Sequence, residues 1–224
     1  MTTLTTAPLA PLLDRLFAEA EAPPSPATQA ALARLTPAER SRLSASTAES
    51  DYRTFYGLAK DAYLAVSRET GTLLYLLTRT AGARSIVEFG ASFGVSTLHL
   101  AAGLRDNGGG RIITTEFEPS KAARARENFA AGGLADLIEL REGDALRTLS
   151  RDLPGQVDLV LLDGAKGLYP AVLALLEEHL RPGALVIADN ADRSPEYLRH
   201  VRSAPGGYVS VPFAGDVELS MRTG

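Results

Sequence analysis

Short apolar runs alternate with longer amphipathic segments from residue 85 onward. Five of these runs are of β-type and lie at residues 85–89, 111–116, 137–140, 157–162 and 184–188. The intervening segments have helical composition and lie at residues 96–104, 119–131, 145–152 and 169–180. Near-continuous apolar strands that alternate with helices are typical of a parallel sheet with helices on both faces. The pattern therefore predicts the α/β fold class.

Two further β-type runs close the sequence, at residues 208–213 and 217–221. Only Ala214, Gly215 and Asp216 separate them, so they are predicted to form an antiparallel hairpin at one edge of the sheet. Together with the five earlier runs, this hairpin predicts a mostly parallel sheet of seven strands.

The first 84 residues contain no convincing strand. Apolar residues at helical spacing predict a helix over residues 10–20, and a run of prolines ends it. Thr36 is followed by Pro37 and Glu39, which predicts a capped helix start, and residues 71–80 predict a helix that buries leucines. We place the boundary after residue 60: residues 1–60 form a helical extension for dimerisation or for covering the site, and residues 61–224 form the α/β domain.

Composition limits the chemistry open to this protein. The 224 residues include no cysteine, which excludes disulfides, thiolate metal sites and cysteine nucleophiles. Three histidines argue against a His-rich zinc site, and a net charge of −4 gives no reason to expect a nucleic-acid partner. No apolar run reaches transmembrane length and the N-terminus lacks a signal pattern. We therefore expect a cytoplasmic protein with no membrane partner.

An acidic residue stands at the carboxyl end of each of the first five predicted strands. These residues are Glu88, Glu116, Asp144, Asp163 and Asp189, the last followed by Asn190. Ligands of parallel α/β sheets bind at this edge of the sheet. Acidic residues also favour turns and helix starts, which accounts for one or two of the five more readily than for all of them. The arrangement predicts a ligand site.

The turn after the first strand is open to three interpretations, and the first is a dinucleotide site. Such a site needs glycine at three positions so that the backbone can approach a pyrophosphate. Here Gly90, Ser92 and Val95 occupy them, and only the first fits. The charge of Glu88 beside the turn would also oppose a pyrophosphate.

The second interpretation is a serine esterase. Residues 90–94 match the G-x-S-x-G elbow of serine hydrolases, and the chain order permits Ser92, a downstream Asp and His200 as a triad. However, the elbow normally follows several strands, whereas here it follows the first. A hydrolase also has no use for Glu116 or for the Asp189–Asn190 pair.

The third interpretation is a cationic nucleoside ligand. Glu88 can organise the turn around a sulfonium, Gly90 permits close backbone approach, and Ser96 at a helix start can bind a carboxylate. Glu116 can accept hydrogen bonds from both ribose hydroxyls, and Asp144 can reach an adenine amino group. These requirements describe S-adenosylmethionine (SAM).

Three motifs carry a resemblance to a known family. They are Val-Glu-Phe-Gly-Ala-Ser-Phe-Gly-Val-Ser at residues 87–96, Leu-Asp-Gly-Ala-Lys-Gly-Leu-Tyr at 162–169, and Ala-Asp-Asn at 188–190. From about Val66 to the C-terminus, the sequence resembles the class I SAM-dependent O-methyltransferases of the cation-dependent catechol and caffeoyl-CoA type. The resemblance implies a Rossmann-like class I methyltransferase fold, with residues 61–224 as the SAM-binding catalytic domain.

The resemblance also implies site residues. The implied cofactor-binding residues are Val66, Ser67, Glu88, Gly90, Ser92, Ser96, Glu116, Asp144, Ala145 and Asp163. The implied metal ligands are Asp163, Asp189 and Asn190, and the implied catalytic residues are Asp163 and the base Lys166. Carboxylate and amide oxygens suit Mg²⁺, Ca²⁺ or Mn²⁺ rather than Zn²⁺. Because such a cation can orient two neighbouring oxygens, we expect a small aromatic acceptor with adjacent hydroxyls.

The sequence departs from the family pattern on the acceptor side. Ala165 stands where the family often has a second acidic residue, and residues 191–194 replace a bulky aromatic or proline gate. The metal ligands are therefore better defined than the acceptor. Two alternatives stay open: a metal-independent SAM methyltransferase in which Asp189 and Asn190 serve only a turn, and a non-catalytic nucleotide-binding protein that acts through its N-terminal helices.

Overall fold

A single seven-stranded sheet forms the centre of the computed structural model, which describes residues 1–213 and 215–224. The strands are β1 (Ser85–Phe89), β2 (Arg111–Glu116), β3 (Ile138–Glu142), β4 (Val157–Leu162), β5 (Leu180–Ala188), β6 (Tyr208–Phe213) and β7 (Val217–Arg222). Their order is β3-β2-β1-β4-β5-β7-β6; the first five are parallel and β7 runs antiparallel to both its neighbours. The predicted α/β class and the antiparallel hairpin are confirmed, although Ala214 of the predicted turn lies outside the described residues.

Ten α-helices surround the sheet in the described part of the chain. They are α1 (Leu9–Glu21), α2 (Pro26–Ala33), α3 (Pro37–Ala45), α4 (Glu49–Leu58), α5 (Arg68–Thr80), α6 (Val95–Asp106), α7 (Pro119–Ala131), α8 (Ala145–Thr148), α9 (Tyr169–Leu176) and α10 (Pro195–Arg202). The pattern did not predict α2, α4 and α10. Each of these three buries at most two side chains, so its apolar face is short.

Two predicted helices are shorter than expected. Helix α8 ends at Thr148 instead of residue 152, because Asp152 adopts a φ of 53° and a proline at 154 disfavours helical backbone before it. Helix α9 ends at Leu176, where a 3₁₀ turn follows. Pairing with β4 begins at Leu180, so β5 starts before the predicted residue 184.

The N-terminal residues divide into two structural parts. Leu9, Leu16 and Phe17 of α1 are buried in the same core cluster as the helices behind the sheet. Helices α3 and α4 instead pack beside the carboxyl ends of the strands, where the Ala45 backbone lies against Gly167. The first 21 residues therefore pack with the α/β domain, and only the later part of the predicted extension adjoins the candidate site.

None of the helices in the described part of the chain is long and apolar enough to cross a membrane.

Candidate active site

The carboxyl ends of the strands open onto a cleft of about 650 Å³ beside α4. Six of the ten residues predicted to bind a cofactor line it, namely Gly90, Ser92, Glu116, Asp144, Ala145 and Asp163. Because these residues follow four different parallel strands, the sheet brings them to one edge. The predicted ligand site thus exists as a cavity.

The turn after β1 needs its G-x-S-x-G spacing for backbone reasons. Gly90, Ser92 and Gly94 all have positive φ values, of 103°, 48° and 89°. A Cβ at residue 90 would lie 2.7 Å from the Asp163 carbonyl oxygen, so only glycine fits there. The motif therefore shapes a tight turn into α6, independently of any nucleophile.

The esterase hypothesis lacks its histidine. The Ser92 hydroxyl accepts a hydrogen bond from Lys121 Nζ at 3.4 Å. His200 lies on α10, where its Nε2 pairs with Glu177 at 2.6 Å and its ring packs on Tyr208. Serine and histidine do not meet, so the geometry gives no Ser–His pair for nucleophilic catalysis.

Glu116 is held at the end of β2 with its carboxylate on the cleft wall. Its two oxygens accept the backbone N–H groups of Ser92 at 2.8 Å and Glu118 at 2.9 Å. Burial raises the pKa of Glu116, while these N–H groups and the charge of Lys121 lower it. The carboxylate is thus oriented by the chain before any ligand binds.

Asp144 caps the start of α8, and both of its carboxylate oxygens accept hydrogen bonds from the protein. Oδ1 accepts the Leu146 N–H at 2.8 Å, which caps the helix, and Oδ2 accepts the Tyr52 hydroxyl at 2.6 Å. Ala145 follows on the cleft wall. Helix α4 is therefore tied to this end of the cleft by Tyr52.

Glu88 lies under the turn and not in the cleft. It is fully buried and accepts hydrogen bonds from the hydroxyls of Ser96 at 2.6 Å, Thr97 at 2.5 Å and Thr114 at 2.5 Å. Through these contacts Glu88 organises the turn from beneath. The Ser96 hydroxyl donates to Glu88, and Ser96 also lines a smaller pocket beside the turn.

The segment before α5 adds a second, smaller pocket of about 190 Å³. Its walls include Leu64 and Ala65 on one side and residues 91–96 on the other. Val66 itself is buried in the core, and the Ser67 hydroxyl caps α5 by accepting the Thr70 N–H at 3.0 Å. The residues just before the predicted pair thus form the pocket wall.

Asp163 on the cleft wall is paired with a buried lysine. Lys166, only 6% exposed, donates to Asp163 Oδ1 at 2.9 Å and to the Tyr169 hydroxyl oxygen at 2.9 Å. The Tyr169 hydroxyl in turn donates to the backbone carbonyl of Asp189 at 2.8 Å. The 3₁₀ turn that begins at Lys166 folds the ammonium back over Asp163.

Asp163 and Asp189 follow the neighbouring parallel strands β4 and β5 and interact electrostatically. Burial raises the pKa of both carboxyl groups. Burial and the charge of Asp163 together raise the pKa of Asp189 to about 7. Asn190 donates its amide nitrogen to Asp216 Oδ2 at 2.6 Å, which leaves its amide oxygen as an acceptor. The three predicted metal ligands therefore follow the neighbouring strands β4 and β5, and their joint action as ligands stays a prediction.

Comparisons with known proteins agree with this geometry. A family model described as a methyltransferase domain matches residues 87–191, from β1 to the turn after β5. The chain is 33% identical over 145 residues to the catechol O-methyltransferase of Niastella koreensis, an alignment that covers 63% of this chain and 65% of that protein. It is 30% identical over 177 residues to an O-methyltransferase-family protein of Mycobacterium avium, covering 72% and 73% of the two chains.

The chain belongs to the class I O-methyltransferase family. Its structure aligns with that of the O-methyltransferase TomG from Streptomyces achromogenes, solved in complex with SAM, at a TM-score of 0.64 and 26% identity; the alignment covers 95% of this chain and 96% of that one. The fold is thus the Rossmann-like class I methyltransferase fold. The chain spans less than two thirds of the length of the Niastella relative, at 65%.

The sequence analysis did not predict several residues of the cleft wall, among them two tyrosines and a lysine. Tyr52 and Tyr56 lie four residues apart on α4, and Lys121 lies on α7. The Tyr56 hydroxyl donates to the Gly164 carbonyl at 3.5 Å, and burial followed by the charge of Asp163 raises its pKa. The i, i+4 tyrosine spacing is the one signal that could have indicated a shared helix face.

Proposed function

We propose that the protein transfers the methyl group of SAM to an oxygen of a small aromatic acceptor, with the help of a divalent cation. The observation that carries the proposal is a cleft whose wall contains both the Glu116 carboxylate at the end of β2 and Asp163 after β4. Lys166 is hydrogen-bonded to Asp163, and the charge of Asp163 acts on Asp189 after β5. The SAM complex of the Streptomyces relative and the name of the Niastella relative support it.

The cofactor end of the cleft suits SAM. Glu116 presents oxygens that can accept the two ribose hydroxyls, and the Asp144–Ala145 turn lies beside it for the nucleobase. The smaller pocket between Leu64 and Ser96 would hold the methionine part. When bound, SAM supplies an electrophilic methyl group for in-line displacement.

The reacting end suits a hard divalent cation. Asp163, Asp189 and the amide oxygen of Asn190 form an all-oxygen donor set, and two adjoining carboxylates need compensating positive charge. In the described residues no group of three or more His, Cys, Asp or Glu side chains could hold a metal, so the proposed site depends on two carboxylates and the Asn190 amide oxygen. A divalent cation held here would supply positive charge that favours the deprotonated form of neighbouring hydroxyls.

Lys166 takes the role of proton acceptor. Its Nζ lies within hydrogen-bond reach of Asp163 and Tyr169, and its near-complete burial limits competition from water. In this role it receives the proton of the acceptor hydroxyl, so that the oxygen attacks as an oxyanion. Tyr56 and α4 close the acceptor side of the cleft.

Cation dependence is the direct test. A chelator should abolish methyl transfer to a catechol, and Mg²⁺ should restore it in the wild-type protein but not in Asp189→Ala. The Asp192→Ala variant is the matched control, because that side chain is exposed on the following turn. Calorimetry should show SAM binding with and without chelator. Full turnover in chelator would place the protein in the metal-independent class.

The acceptor class has its own test. Under saturating SAM and Mg²⁺, a catechol should react about 10²-fold faster than the matching monophenol, because only adjacent oxygens can be held as a pair. One methylated regioisomer should dominate in mass spectrometry of the catechol product. Equal rates on the two phenols would contradict the proposed role of the cation while leaving methyl transfer intact.

The homodimer and the covering role of the N-terminal helices stay predictions. Light scattering measures the mass of the protein in solution and so tests the homodimer. The contacts of Tyr52 and Tyr56 with the cleft support a covering role for α4.

A further inference from the structure

Residues 59–66 link α4 to α5 and pass beside the turn that follows β1; we call them the connecting segment. One side chain joins this segment to that turn. Lys121 Nζ donates to the Ala62 carbonyl at 3.0 Å and to the Ser92 hydroxyl at 3.4 Å. A single ammonium on α7 therefore bridges two parts of the chain that are far apart in sequence.

Lys121 is an unusual residue to find buried. Only three of the 23 basic residues in the chain are lysines, and Lys121 is 3% exposed. The other buried lysine, Lys166, donates to a carboxylate, whereas both hydrogen-bond acceptors of Lys121 are neutral oxygens. Burying an ammonium on neutral partners costs free energy, so a position on the cleft wall indicates a task there.

The surroundings of Lys121 offset part of the cost of burying its charge. Burial lowers the pKa of the ammonium, and four carboxylates around it counter this effect only in part; these are Glu116, Glu118, Asp61 and Asp163. Its Nζ also lies 5.2 Å from the centre of the Phe93 ring, a distance at which a cation is attracted to an aromatic face. Phe93 belongs to the same turn as Ser92, so this contact also holds the ammonium against the turn.

The bridge lies where the two cavities of the site meet. Leu64 of the connecting segment and Ser92 of the turn line both the main cleft and the smaller pocket. On the outer side, the Tyr63 ring packs against Phe93 with the ring centroids 4.3 Å apart. A ligand that occupies both cavities is therefore enclosed between the connecting segment and the turn.

We propose that Lys121 is a positioning residue that holds the connecting segment closed over the cofactor, so that breaking its bond to Ala62 admits SAM and releases S-adenosylhomocysteine (SAH). The role rests on the proposed SAM-dependent function. Lys121 acts through the segment and takes no part in methyl transfer, because the acceptor oxygens lie at the Lys166 end of the cleft.

The first test separates cofactor exchange from chemistry. Lys121→Met keeps the length of the apolar stem and removes the ammonium. Loss of one charge-assisted hydrogen bond should speed SAH dissociation in stopped flow by about tenfold and raise KM for SAM by a similar factor. At saturating SAM, kcat should fall by less than about threefold, since positioning of the acceptor is left in place.

A matched control comes from the connecting segment itself. Lys60→Met removes a lysine whose side chain is 55% exposed, and it should leave SAH dissociation unchanged. If Lys121→Met dissociates SAH as slowly as Lys60→Met does, or if its kcat falls as steeply as its kcat/KM, the role is wrong.

The second test uses the wild-type protein and needs no variant to fold. Acetic anhydride acetylates accessible lysines, and mass spectrometry can follow Lys121 beside Lys60 as an internal reference. Lys121 should react at least about tenfold more slowly than Lys60, because it becomes accessible only when the segment opens, and saturating SAH should slow it further. The Lys60 rate should not change.

Calorimetry under the same conditions distinguishes two kinds of failure. If SAH binds and the Lys121 rate does not change, the segment is not closed by the cofactor and the positioning role is overturned. If neither SAM nor SAH binds, the proposed function fails, and the role of Lys121 fails with it.

Discussion

The two ends of the cleft use the same residue type in opposite ways. At the cofactor end, Glu116 and Asp144 follow β2 and β3, and backbone N–H groups or the Tyr52 hydroxyl occupy their oxygens. At the reacting end, Asp163 and Asp189 follow β4 and β5, and their carboxyl groups interact electrostatically with each other and with one ammonium. Position after a parallel strand is thus common to all four, whereas the electrostatic surroundings are not.

The difference shows how one sheet edge can serve both binding and catalysis. A carboxylate fixed by donors from the protein presents a ready acceptor to ribose or adenine without reorganisation. Two buried carboxylates with too little positive charge between them are poorly stabilised on their own, and a cation improves their balance. The predictions that follow test whether the two ends are indeed distinct.

The largest effect should come from Lys166. Replacing it with Met removes the proton acceptor at the reacting end, so kcat should fall by about 10²- to 10⁴-fold. SAM affinity, which belongs to the cofactor end, should change by less than about twofold in calorimetry. Lys60→Met is the control for loss of a lysine. A comparable loss of SAM affinity in Lys166→Met would mean that the two ends are not separable.

Glu116→Ala should give the reverse result. Loss of two charge-assisted hydrogen bonds to ribose should weaken SAM binding by about 30- to 1000-fold, equivalent to about 2–4 kcal/mol. Glu127→Ala on the exposed face of α7 is the matched control. Calorimetric affinity equal to that of wild type would show that Glu116 does not hold the ribose.

The smallest effect concerns stability. The pKa of Asp189 in the folded protein is about 7, above the ordinary value of 3.8, so the unfolded chain gives up this proton first and stability falls as pH rises between these values. This is measured by urea denaturation in the presence of chelator. Between pH 4 and pH 8, the free energy of unfolding of the wild type should fall by at least about 1 kcal/mol more than that of Asp189→Asn.

The matched control for the stability experiment is Asp144→Asn at the cofactor end of the cleft. Asp144→Asn alters a carboxylate that already has two protein donors, and no gain in stability at pH 8 is expected from it. If Asp189→Asn is no more stable relative to wild type at pH 8 than Asp144→Asn, the reacting end carries no excess of negative charge.

The sequence alone determined the scaffold and the placement of its acidic residues. Apolar runs such as 157–162 mark buried parallel strands through local composition, and the residue after each run must emerge at the same edge. Local rules also predicted the capping box of Thr36 and Glu39 at the start of α3. Element ends were less well determined where proline or a positive φ intervened, as at the end of α8.

Only the tertiary structure decided what surrounds each acidic residue. Tyr52 meets Asp144 across 92 positions, and Lys121 meets Ala62 across 59. The same applies to Glu88, which the sequence assigned to the cofactor and the structure assigns to three hydroxyls beneath the turn. Periodicity reports which face of an element is apolar, but it carries no information about which distant side chain completes a polar contact. That choice depends on how the helices pack over the sheet.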